Sequence, residues 1–307
     1  MYTKYSIVAW CCLLFSLVAC ESTSTKKQGR PVIVTTTGMI ADAVKEIMGD
    51  SAEVIALMGP GVDPHLYKAT EGDLKRLTDA DLIVYNGLHL EGKMSEVLHQ
   101  LEKDKNKVYA LSNGISNAQL RMLDSAAQIY DPHIWFDVAL WNQSLQGLTK
   151  YLTQRFPEDS AYIQARYTAY QTRLQSLHDE TKARIDSIPM SQRVLITAHD
   201  AFGYFGRAYH IEVRGLQGIS TVSDFGLNEV SNLVNFICDR KIKAVFVETS
   251  VSEQSIKAVV EGCMAKGHQV VIGGALYSDA MGAAGTEEGT YIGMVRKNVQ
   301  TISQALK

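Results

Sequence analysis

The chain has 307 residues, 46% of them hydrophobic and 21% charged, with a formal net charge of −3. That length accommodates about two domains. With no basic stripe or basic block, there is no reason to expect nucleic acid as a partner.

In chain order, Lys4 comes first, followed by an apolar run from Tyr5 to Ala19. The run is shorter than the ~20 residues of a comfortable membrane span and has the layout of a signal peptide. It ends in Leu17-Val18-Ala19-Cys20, which resembles the lipobox of bacterial lipoproteins. That resemblance makes residues 1–19 a cleaved signal peptide and Cys20 the lipidated first residue of the mature chain. Glu21 to Arg30 is polar and aperiodic, so residues 20–30 read as a flexible tether. Of the remaining cysteines, Cys11 and Cys12 leave with the signal. Cys238 and Cys263 sit in helical patterns and read as buried free thiols rather than a disulfide. No Cys-x-x-Cys is present, which argues against a thiolate metal site.

After the tether, strand and helix patterns alternate. "PVIVTTT" (31–37), "AEVIALM" (52–58) and "DLIVYNG" (81–87) read as strands. Helical patterns follow each of them: "GMIADAVKEIMG", a segment that Thr70 can cap, and one near residues 91–102. The scheme returns with strands at "RVLITAH" (193–199), "AVFVETS" (244–250) and "QVVIGG" (269–274), and with a helix at "AFGYFGRAY". Between the two halves, Glu158 to about Ile188 contains no Gly or Pro. Ile163, Tyr167, Tyr170, Leu174 and Leu177 mark one apolar stripe along it, and Pro157 and Pro189 bound it. The expected fold is therefore α/β: two lobes, each with a mostly parallel sheet flanked by helices, joined by one long backbone helix. The expected boundaries are an N-terminal lobe at 31–156, a connecting helix at 157–189 and a C-terminal lobe at 190–307.

The tripeptide Asp-Pro-His occurs twice, at 63–65 and 131–133. A proline fixes its own φ and pushes the preceding residue into extended geometry, so each Asp-Pro is a stiff bracket presenting a histidine. In open α/β sheets, ligands bind beyond the carboxyl ends of strands. Sorted by that rule, one lobe offers His65 and His133, and the other offers His199 and Asp279. Three imidazoles and one carboxylate suit Zn²⁺ and other first-row divalent ions. Asp63, Asp131 and Asp200 neighbour the histidines and either orient their rings or serve their own turns. Glu248, at a strand end, is the alternative to Asp279 as a ligand and the stronger candidate for a buried hydrogen-bonding group. His89 reads as structural, and His99, His178, His210 and His268 as surface residues. The glycines of "GAAGTEEGTYIG" lack the strand-to-helix placement of a phosphate loop.

The blocks "GPGVDPHLYKATEGDLKRLTDADLIVYNGLHLEGKM", "DPHIWFD", "VLITAHDAFGYFGRAY", "GLQGIS" and "LYSDAMGAAGTEEGTYIGM" resemble the TroA-type zinc/manganese-binding lipoproteins of bacterial ABC importers. The similarity runs from about residue 31 to 307. It implies a metal held between two lobes by His65, His133, His199 and Asp279, and no enzymatic activity. It also implies a non-enzymatic carrier, monomeric and lipid-anchored on the periplasmic or cell-surface face of a bacterial membrane. The carrier would hand its ion, Zn²⁺ or Mn²⁺, to a membrane permease driven by an ATPase. Many zinc-specific members carry a loop rich in His and acids before the second ligand, and "SNGISNAQLRMLDSAAQIYDPH" has none. Manganese-specific members often have Glu where this chain has His199. The rival readings are a lipid-anchored surface interaction protein with a structural metal, and a zinc hydrolase. The second would need an open coordination position and a general base, as in His-Glu-x-x-His, which does not occur here.

Overall fold

The computed structural model describes residues 29–103, 107–222 and 226–307; the signal segment, Cys20 and the tether up to residue 28 lie outside the described residues. The first sheet contains β1 (Val32–Thr35), β2 (Glu53–Ala56), β3 (Leu82–Tyr85) and β4 (Val108–Ala110). Its strands are all parallel and run in the order β2-β1-β3-β4. Its central strands are buried on both faces, as parallel strands between helices must be. Ile33, Leu82 and Val84 point into one core, Val34 and Ile83 into another. The crossovers are α1 (Gly38–Met48), α2 (Glu71–Asp79) and α3 (Ser95–Leu101). Thr70 caps α2 reciprocally with Asp73: the Thr70 hydroxyl accepts from the Asp73 amide, and the Asp73 carboxylate accepts from the Thr70 amide.

A short antiparallel hairpin, β5 (Met122–Asp124) and β6 (Ile129–Tyr130), precedes α4 (Val138–Arg155) and α5 (Ser160–Asp186). The second half contains β7 (Val194–His199), α6 (Gly203–Tyr209), β8 (Glu212–Gln217), α7 (Leu227–Arg240), β9 (Ala244–Glu248), α8 (Gln254–Ala265), β10 (Val271–Leu276) and α9 (Tyr291–Ala305). Strands β7 and β8 pair in parallel, as do β9 and β10. The two pairs are separate two-stranded sheets, but β7 lies alongside β9, so the spatial order β8-β7-β9-β10 matches the order in the first sheet. In both halves the strand order reverses between the two central strands, and the crevice beyond such a point is where α/β proteins bind ligands.

The long helix starts slightly later than its pattern predicts, because Pro157–Asp159 form a 3-10 turn before α5 begins at Ser160. Its 27 residues span about 40 Å. Ile163, Tyr167, Tyr170, Leu174 and Leu177 are all buried, and Thr181 and Ile185 extend the same stripe. This stripe packs on α1 and α4 from the first half and on α6 and α9 from the second. One hydrophobic core consequently runs through both lobes, from Ile33 and Trp141 through Tyr170 and Leu174 to Phe246, Leu276 and Tyr291. Residues Pro31–Lys307 pack as one compact unit. Cys238 and Cys263 are free thiols on α7 and α8; burial, with Cys238 beside it, pushes the Cys263 thiol up to about 12. Among the described residues no helix is long and apolar enough to cross a membrane.

Candidate metal centre

Both Asp-Pro-His brackets fold the same way. The His65 amide donates to Asp63 Oδ1 at 2.8 Å, and the His133 amide donates to Asp131 Oδ1 at 3.0 Å. In each case the aspartate closes a turn through its own side chain while the proline fixes the backbone between them. His65 lies on the loop leaving β2, an edge strand. His133 leads into a 3-10 turn whose side chains, Ile134, Trp135 and Phe136, are all buried. His199 is the last residue of β7, and Asp279 follows β10.

The structure brings these four side chains together, all buried, with one donor atom from each within 4.8 Å of the others. His65 Nε2 and His133 Nε2 are 3.3 Å apart. Asp279 Oδ1 is 3.4 Å from His133 Nε2, while its Oδ2 is 3.6 Å from His65 Nε2 and 3.3 Å from His199 Nε2. Neither carboxylate oxygen of Asp279 has a hydrogen-bond partner, and neither does His199 Nε2. Buried polar atoms without partners are costly and call for an explanation.

Two further carboxylates stand behind the rings. Asp131 Oδ1 is 2.8 Å from His133 Nδ1, and the other Asp131 oxygen accepts from Arg121. Glu248 Oε2 is 2.6 Å from His199 Nδ1, too poorly aligned for a directed hydrogen bond, while Oε1 accepts from the His199 amide at 2.8 Å. These charges set the proton affinities. Burial disfavours a proton on His133, but Asp131 and Asp279 outweigh it and hold the ring up at about 9. His199 is likewise raised against its burial, by Glu248 and Asp279. His65 has no carboxylate at its back, and burial lowers it to about 4. Against its own burial, Asp279 is held well below the usual carboxylate range by His199 and His133.

The three aspartates that neighbour the histidines in sequence thus differ. Asp131 touches the ring as well as the turn, and Asp63 serves the His65 backbone. Asp200 contacts no ring, and burial raises its carboxyl; the group behind His199 is Glu248 instead. His89 is exposed, on a left-handed backbone with φ of 63°, and lies outside the cluster. His99 and His210 are exposed as read from the sequence, but His178 and His268 are half-buried and hydrogen-bonded, to the Tyr209 hydroxyl and the Ile242 carbonyl. Both lie where a helix meets a neighbouring element, a tertiary contact that the local pattern does not encode.

Hydrogen bonds between the lobes frame the cluster. Trp135 Nε1 donates to the Ser278 carbonyl at 3.0 Å, and the Tyr204 hydroxyl donates to the Asp131 carbonyl at 2.9 Å. Thr221 Oγ1 donates to Asp63 Oδ2 at 2.6 Å. Sequence reasoning missed Trp135, Tyr204 and Thr221. Trp135 had a signal, an indole two residues after His133 that must bury both its ring and its N–H; Thr221 had none.

Two parallel α/β lobes that share a core and close over a buried three-histidine, one-carboxylate cluster define a two-lobed binding protein. The model of the ZnuA family, described as zinc-uptake complex component A periplasmic, matches residues 33–305, and the chain belongs to that family. It is 49% identical to the zinc-binding protein TroA of Treponema pallidum over 278 residues, 91% of this chain and 89% of that one. It is 46% identical to the manganese-binding lipoprotein MntA of Bacillus subtilis over 295 residues, 95% of this chain and 96% of that one. A solved structure of the periplasmic zinc-binding protein TroA from Treponema pallidum superimposes with a TM-score of 0.87, covering 91% of this chain and 99% of that one.

Proposed function

We propose that the protein is an extracytoplasmic, lipid-anchored solute-binding protein. It captures Zn²⁺ or Mn²⁺ between its lobes and delivers the ion to the permease of an ABC importer, whose ATPase drives uptake. The ligands are His65, His133, His199 and Asp279. The lobes are residues 31–156 and 190–307, with residues 157–189 connecting them and Cys20 carrying the lipid. The observation that carries this reading is the unpartnered Asp279 carboxylate, buried among three imidazole nitrogens at 3.3–3.6 Å. Separations of about 3.3 Å between donors are what bonds of about 2.0–2.1 Å to one tetrahedral ion produce. Three nitrogens and a carboxylate favour Zn²⁺ over Mn²⁺ by intrinsic affinity, although availability outside the cell also decides what is transported. The ion is cargo: a protein shell that encloses it offers no open position for an activated water, so no catalysis is assigned to it.

The test is a melt of the mature protein, stripped of metal, with Zn²⁺ and Mn²⁺ added separately. An ion at about 100 times its dissociation constant adds roughly 2.7 kcal/mol to the folded state, a visible rise in melting temperature. Wild type is expected to shift and His133→Ala to lose most of the shift. If neither ion moves the wild type, the four-ligand site is wrong.

A further inference from the structure

The three imidazoles are not held alike. His133 and His199 are each backed by a buried carboxylate, Asp131 and Glu248. His65 is not: its ring touches the other donors through Nε2, and its support comes from its backbone amide, which donates to Asp63 Oδ1. The other oxygen of that same carboxylate accepts from the Thr221 hydroxyl, which belongs to the opposite lobe. From Thr221 the connection continues. Its carbonyl accepts from Gln217 Nε2 at 2.8 Å, and the Gln217 carbonyl accepts from the Asp200 amide at 3.1 Å. Gln217 pairs with His199 across the β7–β8 ladder. A chain of hydrogen bonds thus joins the His65 backbone to the strand end that carries His199 without passing through the donor cluster.

The His65 loop is also the one most easily withdrawn. It hangs from the edge strand β2, and Gly59, Pro60 and Gly61 before it and Leu66 after it are exposed. His133 is instead anchored among the buried side chains of Ile134, Trp135 and Phe136, and His199 ends a fully buried strand.

We propose that Thr221 is a positioning residue that sets how long the ion is retained: its hydroxyl, through Asp63, latches the His65 loop to the opposite lobe, and release begins when that bond breaks and His65 withdraws. This rests on the carrier reading above. A carboxylate shared between an intraloop amide and an interlobe hydroxyl makes the latch and the ligand one mechanical unit. Separation of the lobes at Thr221 acts on His65 before it acts on the better-backed rings.

The test uses the mature chain as wild type, Thr221→Val and Thr221→Ser. Release of Zn²⁺ into an excess of a chromophoric chelator is followed by stopped flow. Amide hydrogen exchange of residues 59–69 is followed in the metal-stripped proteins. Thr221→Val keeps the shape of the side chain and removes the donor; it is expected to release about tenfold faster, the loss of one hydrogen bond to a carboxylate. The loop should exchange faster in Thr221→Val, and Thr221→Ser should behave as wild type in both measurements. All three metal-free proteins should melt in one cooperative transition, Thr221→Val slightly lower because the bond it loses is present without metal. A loaded wild type whose Thr221→Val variant releases at the same rate overturns the latch and leaves the carrier reading standing. Equally fast release from both variants assigns the effect to packing and also overturns it. A wild type that takes up no zinc overturns the carrier reading, and this proposal with it.

Discussion

Asp131 and Glu248 face the Nδ1 side of two imidazoles whose Nε2 atoms point at Asp279. A carboxylate beside Nδ1, hydrogen-bonded in the case of Asp131 and acting through its charge in the case of Glu248, favours the proton there and leaves the Nε2 lone pair free for an ion, while making the ring a better donor. Asp131→Asn and Glu248→Gln are therefore each expected to weaken metal binding by 10–100-fold without preventing folding, read by competition with a chelator of known affinity. Unchanged affinity in both variants would reduce these carboxylates to structural groups. His65, His133, His199 and Asp279 could be read from the sequence because Asp-Pro brackets and strand ends are local features. Glu248 could be read as a buried hydrogen-bonding group, and it is one, but its partner His199 could not: that depends on β9 lying beside β7, two strands separated by a helix, a strand and another helix. Thr221 illustrates the same limit, since its partner Asp63 is 158 residues away.

At the scale of elements, α1 and α9 meet at a carboxylate. Asp42 Oδ2 accepts from the Tyr291 amide at 2.9 Å, so a side chain of the first half caps the first turn of a helix in the second. Burial raises the Asp42 carboxyl to about 6, although the Tyr291 amide opposes this. The neighbouring charges are Lys45 and Glu46 on α1 and Arg173 on α5. Between pH about 4 and 6, then, the folded protein binds this proton more firmly than the unfolded chain does. Its contribution to stability falls as pH rises through that window and is level above it. Asp42→Asn keeps the acceptor and cannot ionise. Relative to wild type, the metal-free variant is expected to gain stability as pH rises from about 4 to 6, by less than about 3 kcal/mol given the partial exposure of the site. Melting curves that stay parallel across that range would exclude the effect. The α5 stripe was legible because its period is unbroken. Helix α4 went unread although Trp141, Leu145, Leu148 and Leu152 carry the same spacing. Strand β8 was hidden by Arg214 and Gly215, which an edge position tolerates and a sequence pattern does not display.

For the molecule as a whole, the proposed donors are few and the core is large. The apolar cluster that runs through both lobes includes none of the four donor residues. Removing the ion with a chelator is expected to lower the melting temperature while leaving a cooperative transition and an unchanged far-ultraviolet circular dichroism spectrum. Cooperative melting lost on chelation would make the metal structural and favour the rival reading of an anchored interaction protein. The repeated α/β alternation revealed two sheets in the sequence, but it did not reveal how completely α5 merges them. Tyr170 and Leu174 belong to a core that also holds Ile33 from one sheet and Phe246 from the other. The two halves are therefore scaffolds for each other. A chain cut between α5 and β7 would yield fragments that each expose half a core, and such fragments would regain their shape only by associating.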